Sequence, residues 1–112
     1  MPFLTVNTNA TMNDSDVFVE EAARFVAAEL HKPVNYVIVT LNVNAKMSFG
    51  GSTEHSGALV ELRSVGLGDL GDLAPKLTDF LVEKLRLDRQ FVNIEFMNID
   101  AARLSIGGHL LG

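Results

Sequence analysis

What most constrains this chain is that its two halves carry one pattern twice. At an offset of 55 residues, Leu4 falls on Leu59, Phe18 on Leu73, Ala22 on Leu77, Phe25 on Phe80 and Val26 on Leu81. The match continues with Leu30 on Leu85, Tyr36 on Phe91, Val39 on Ile94 and Leu41 on Phe96. Residues about 1–57 and 58–112 are therefore read as two copies of one βαβ unit inside a single domain. Each unit should cross over right-handed, and two such crossovers in one sheet put both helices on the same face. The expected fold class is α+β, a four-stranded mixed sheet with two helices on one side.

Local signals fill in the repeat. Phe3 to Val6 reads as a strand leaving through the polar Asn7-Thr8-Asn9. Asn13-Asp14-Ser15-Asp16 offers helix N-caps, and Phe18, Ala22, Phe25, Val26 and Leu30 then recur at helical spacing. Pro33 ends that helix, because the residue before a proline is pushed out of the α region. Tyr36 to Asn42 is dense in β-branched residues on both faces and is expected to be a central strand, covered on both sides. Asn44 to Gly57 is irregular, and Ala58 to Ser64 is the third strand. Asp69 or Asp72 caps a second helix, with Pro75 in its first turn. A last long strand runs from about Phe91 to Met97, and the tail Leu104-Ser105-Ile106 adds a short strand, too apolar to float free.

With both helices on one face, the other is left bare. The chain is 47% hydrophobic, and a bare face of alternating Val, Ile and Leu would exceed the apolar patch a monomer usually exposes. Oligomerisation through that face, with cyclic symmetry and few subunits, is the expected remedy. The element order also describes ferredoxin-like modules, some of which are non-catalytic regulators.

Several function classes drop out on composition. The formal charge is −5 and the basic residues are scattered, so no positive patch exists for nucleic acid or an anionic membrane surface. No apolar stretch approaches the ~18 residues a membrane-spanning helix needs, and no signal-peptide pattern opens the chain. A cytoplasmic protein is expected, or one secreted without a signal peptide. There are no cysteines, hence no disulfide, thiol chemistry or thiolate metal site. His31, His55 and His109 lack metal-pair spacing, and Gly50-Gly51-Ser52 lacks that of a phosphate loop. No metal or other cofactor is expected.

The residue with chemical promise is Pro2. Removing Met1 turns an inert amide into a free secondary amine at the head of an apolar strand. Desolvation disfavours the protonated form of such an amine, so the neutral base that accepts a proton α to a carbonyl is available near neutral pH. That reaction builds charge on the carbonyl oxygen, which needs a cation or backbone donors. Lys32 is the candidate cation, although a lysine ending a helix also serves the helix dipole.

Pro2-Phe3-Leu4 with Val6-Asn7-Thr8-Asn9, Lys32-Pro33 with Tyr36, Met47-Ser48-Phe49-Gly50-Gly51-Ser52-Thr53-Glu54, and Ser64-Val65-Gly66 together resemble the macrophage migration inhibitory factor and D-dopachrome tautomerase family. The resemblance runs in order over nearly the whole chain. It implies a homotrimer of pseudo-repeated βαβ units with active sites between subunits. It also implies keto-enol tautomerisation of small aromatic α-keto acids of the phenylpyruvate type, or of dopachrome analogues. Carried across by position, Pro2 matches the catalytic base, Lys32 the substrate-binding lysine and Val65 the residue whose backbone N–H meets the substrate. Tyr36 matches a pocket-rim tyrosine, and Phe3 and Leu104 fall on pocket-lining positions. Asn93 and Glu95 stand where the family often has a tyrosine and an asparagine, and Ser105-Ile106-Gly107 stands for Gly-Trp-Asn. The aromatic wall is thinned, so weaker or altered activity toward phenylpyruvate is expected. A MIF-like signalling or ligand-binding trimer without catalysis is the alternative. Without cysteine, the thiol oxidoreductase activity attributed to some relatives has no CxxC pair to use.

Overall fold

The two helices of the chain begin and end 55 residues apart, at Ser15–Leu30 (α1) and Leu70–Leu85 (α2). A computed structural model describes all residues, 1–112. Around the helices it places strands Phe3–Thr8 (β1), Ile38–Asn42 (β2), Ala58–Ser64 (β3) and Val92–Asn98 (β4). Each helix is followed by a 3-10 turn, Val34–Tyr36 and Arg89–Phe91, again at the same offset. A third 3-10 turn, Ala101–Arg103, leads to a small hairpin of Ser105–Ile106 (β5) and His109–Leu110 (β6).

The sheet order is β2-β1-β3-β4, with β1 parallel to β2, β3 parallel to β4, and β1 antiparallel to β3. Each helix therefore joins strands that are direct neighbours. In a split βαβ arrangement a third strand would lie between them, so the ferredoxin-like alternative is excluded. Alternate residues of the central strands, Leu4 and Val6 of β1 and Val60 and Leu62 of β3, are fully buried against Phe18, Ala22 and Val26 of α1 and Leu73, Leu77 and Leu81 of α2. Phe80 stacks on Phe25 at 4.5 Å between ring centroids and so closes the seam between the helices.

Both helices end in the same way. His31 and Arg86 adopt left-handed backbone angles, φ 55° and 56°. The amides behind them then reach back, Lys32 N–H to the Ala27 carbonyl at 2.9 Å and Leu87 N–H to the Val82 carbonyl at 3.2 Å. These are Schellman closures formed on non-glycine residues, and they fix the direction in which the chain leaves each helix.

Four expectations need correction. Tyr36 lies in a 3-10 turn and β2 starts at Ile38. β2 is an edge strand, with Ile38 56% exposed, because an adjacent-strand crossover places the second strand outside the first. The open face of the sheet is largely polar, since the Val, Ile and Leu positions are the ones spent under the helices. Its rows read Asn42, Asn7, Leu59, Asn93, then Thr40, Thr5, Glu61, Glu95, then Ile38, Phe3, Arg63, Met97. Only the last row, at the Pro2 end, is mostly apolar. Pro75 stands in the second turn of α2, not the first, because Asp69 caps the helix by accepting from Gly71 N–H at 2.9 Å. Gly71 and Pro75 are both exposed, so water can serve the carbonyl that proline leaves without an amide. The tail forms the expected short strand at Ser105–Ile106, which pairs with His109–Leu110 rather than with the sheet, and Leu110 is left 64% exposed.

Candidate active site

The residue just ahead of β1 is held against the edge strand β2 by a backbone bond. The Pro2 carbonyl accepts from Ile38 N–H of β2 at 3.0 Å, and Pro2 itself is buried. A proline donates nothing to the ladder, so the first position of the strand is where it fits without loss. Lys32 is delivered to the same corner by the Schellman closure of α1, which turns the chain out of the helix just ahead of Pro33. Its Nζ donates to the Val65 carbonyl at 3.1 Å. Val65 is the first residue past β3, and its own N–H has no protein acceptor. Gly66 and Gly68, at φ 84° and 74°, then turn the chain toward the Asp69 cap of α2.

The terminus feels this corner electrostatically. The terminal amine, here on Met1, titrates below its ordinary range, first because burial disfavours the cation and second because the Lys32 ammonium repels it. The structure therefore brings Pro2, Lys32 and Val65 together. Phe3 lies beside them, half-buried in the apolar row of the open face. Tyr36 is 47% exposed in the turn that feeds β2. Leu104 sits in the tail, where its carbonyl accepts from Leu111 N–H at 2.9 Å, and no hydrogen bond ties it to the corner. A cleft of about 390 Å³ opens behind Lys32, on the side lined by His31, Gly66 and Asp69, but Pro2 is not in its wall.

The pseudo-symmetric position shows what this corner would be without a task. Offset by 55, Lys32 becomes Leu87, which is buried; in β3, where the sheet register shifts the match by one residue, Pro2 becomes Ala58, also buried and next to Gly57. Phe49, Phe91 and His55 close over that end, with Phe91 5.6 Å from Phe49 and 3.9 Å from His55 between centroids. A Cβ on Gly57 would lie 2.4 Å from the Phe91 carbonyl oxygen and 2.7 Å from Phe49 Cζ. Gly57→Ala is therefore expected to destabilise the fold by about 1–3 kcal/mol, read as a lower urea midpoint at unchanged slope. One copy is packed shut, and the other keeps a buried terminus, a cation and a free amide.

Known proteins resemble the chain in both sequence and fold. A family model described as macrophage migration inhibitory factor (MIF) matches residues 1–112, the full length of the chain. The chain belongs to that family. Among MIF relatives, the homologue from Brugia malayi is 34% identical over 100% of both chains. That from Trichinella spiralis is 35% identical over 89% of this chain and 90% of its own. The solved structure of the Trichinella spiralis MIF superposes with a TM-score of 0.87 at 33% identity, covering 96% of this chain and 98% of its own. A MIF homologue from Prochlorococcus marinus shares the fold at a TM-score of 0.91 and 22% identity, over 98% and 99% of the two chains. Against that background, Asn93 and Glu95 are exposed on the open face of β4, with Glu95 in register with Glu61 of β3. Ile106 is exposed in the tail hairpin.

Proposed function

We propose that this MIF-family chain is a tautomerase that interconverts the keto and enol forms of aromatic α-keto acids of the phenylpyruvate type, or of dopachrome analogues. Pro2 is the general base once Met1 is removed. The observation that carries this reading is geometric: Pro2 is buried at the corner where Lys32 Nζ reaches the Val65 carbonyl, and burial and the Lys32 ammonium both push the amine of the terminus, here on Met1, below its ordinary range. Pro2 is more deeply buried than Met1, so the same two causes act on the amine that processing would create. The neutral nitrogen takes the proton from the carbon next to the carbonyl, and the negative charge that moves onto oxygen meets the Lys32 ammonium and the Val65 N–H. The substrate carboxylate competes with the Val65 carbonyl for Lys32. Exposed Ile38, Ile106, Leu110 and Leu111 favour a homotrimer in which neighbouring copies cover this surface and wall the site, with Phe3, Tyr36 and Leu104 on its lining. Sedimentation equilibrium at three times the monomer mass is the expected result.

The test is phenylpyruvate enolisation by the chain processed to Pro2, verified by intact mass, across pH. The sign follows from the protonation state: the active form is the neutral amine, and a lowered pKa keeps it neutral at lower pH. kcat/KM should therefore rise with pH and level off below the ~8 of an ordinary terminal amine. A rise centred at or above that value would contradict the assignment. Asn93, Glu95 and Ile106 favour one other reading, a MIF-like trimer that binds ligand without turning it over. Binding of phenylpyruvate with no enolisation at any pH would select it.

A further inference from the structure

Pro2 has a buried polar neighbour for which the fold supplies no partner. The inward positions of β3 are Ala58, Val60, Leu62 and Ser64, and all are fully buried. Three are apolar and belong there. The fourth carries a hydroxyl, and Ser64 Oγ is the one buried side-chain oxygen or nitrogen in the protein without a hydrogen-bond partner. An orphaned hydroxyl in a core costs stability and is seldom kept without reason.

Its position suggests the reason. The antiparallel register of β1 and β3 pairs Leu4 with Leu62 and Phe3 with Arg63, so the next step sets Pro2 opposite Ser64, and alternation puts both on the helix-covered side. Directly opposed residues of an antiparallel pair bring their Cβ atoms to about 4.5–5.5 Å. While Met1 is attached, the Pro2 nitrogen is a tertiary amide, with no hydrogen to donate and no basic lone pair. Removal of Met1 makes it an amine with both.

We infer that Ser64 is a positioning residue whose hydroxyl holds the Pro2 nitrogen in the processed chain. It donates to the lone pair of the neutral amine and accepts an N–H from the ammonium. This rests on the reading of Pro2 as the base. Ser64 neither gains nor loses a proton; the proton taken from the substrate carbon stays on Pro2 nitrogen, and Ser64 fixes where that nitrogen points. The bond to the ammonium is charge-assisted and the stronger of the two, so Ser64 pulls the amine pKa upward, against burial and Lys32. The other ionisable groups at this end are His31 and Lys32 from the end of α1, Tyr36 ahead of β2, Arg63 on the opposite face of β3, Asp69 at the cap of α2, and Asp100 and Arg103 just past β4, where Ile99 N–H bonds the Ser64 carbonyl. β1 itself brings none.

The alternation of β3 held the signal for Ser64, since a serine at an inward strand position breaks an otherwise apolar face. The experiment titrates the Pro2 amine directly, by NMR of the processed chain labelled with 15N-proline, in wild type and Ser64→Ala. The expected result is a titration displaced to lower pH in Ser64→Ala, with kcat reduced roughly tenfold and KM unchanged. Coincident titrations would overturn the proposal whatever turnover does. The NMR readout needs no catalysis, so a wild-type chain that never enolises phenylpyruvate would sink the tautomerase reading and leave this one to be judged on the titration. A second measurement covers misfolding. In a chain extended ahead of Met1, where Pro2 stays an amide, Ser64→Ala should melt at or above the wild-type temperature. A lower melting temperature there would show that the hydroxyl bonds something else in the core and would end the proposal.

Discussion

Pro2→Gly, in the chain processed to its second residue, is expected to lower kcat/KM for phenylpyruvate enolisation by roughly a hundredfold or more. Glycine leaves a terminal amine in place, so the loss would measure what proline adds: a secondary amine of fixed φ, held by a buried ring. The carbonyl of residue 2 still accepts from Ile38 N–H, so the strand edge should survive and the variant should fold. A glycine terminus is freer, samples water and loses the desolvation that lowers the pKa of the terminal amine. A chain extended ahead of Met1 keeps the ring and removes the base altogether, and it should fall at least as far. An extended chain no faster than Pro2→Gly would place the chemistry on the nitrogen. Undiminished enolisation in either would remove Pro2 from the mechanism.

The repeat was legible because its pattern lies in the helix-covered positions, and burial dictates residue type most strongly there. Leu4 with Leu59 was one matched pair, yet Leu59 proves to be on the open face beside Asn7 and Asn93 while Leu4 is inside. Strand alternation flips with a one-residue step, and a single matched pair does not reveal it. β2 reads as a central strand for a related reason. Val37, Ile38 and Val39 look like a doubly covered strand, but exposed Ile38 is apolar without being buried within this chain. Pro2 and Lys32 are legible from their chemistry and Val65 only through a resemblance, and nothing in their spacing says that residues 2, 32 and 65 meet. Schellman closure, edge pairing and the end of β3 bring them together, and all three are tertiary facts. Leu104 rests on the resemblance alone and is not joined to that corner by any hydrogen bond.

Lys32→Leu separates function from fold because the protein already contains the experiment. Leu87 holds the pseudo-equivalent position behind the same Schellman closure and is buried. A leucine at 32 should therefore be accommodated, with stability changed by less than about 1 kcal/mol. The lost Lys32–Val65 contact is half-exposed, and removing a charge from that setting costs little. Catalysis should respond far more. Removing a charge-assisted partner of the substrate carboxylate and of the developing enolate should lower kcat/KM roughly tenfold to a hundredfold, with most of the change in KM. The pH profile adds an independent sign. Lys32 repels the terminal cation, so its removal should move the acid limb of kcat/KM to higher pH, opposite to the displacement expected for Ser64→Ala. A variant with unchanged KM and an unmoved acid limb would show that Lys32 only closes the helix, as Leu87 does in the other half.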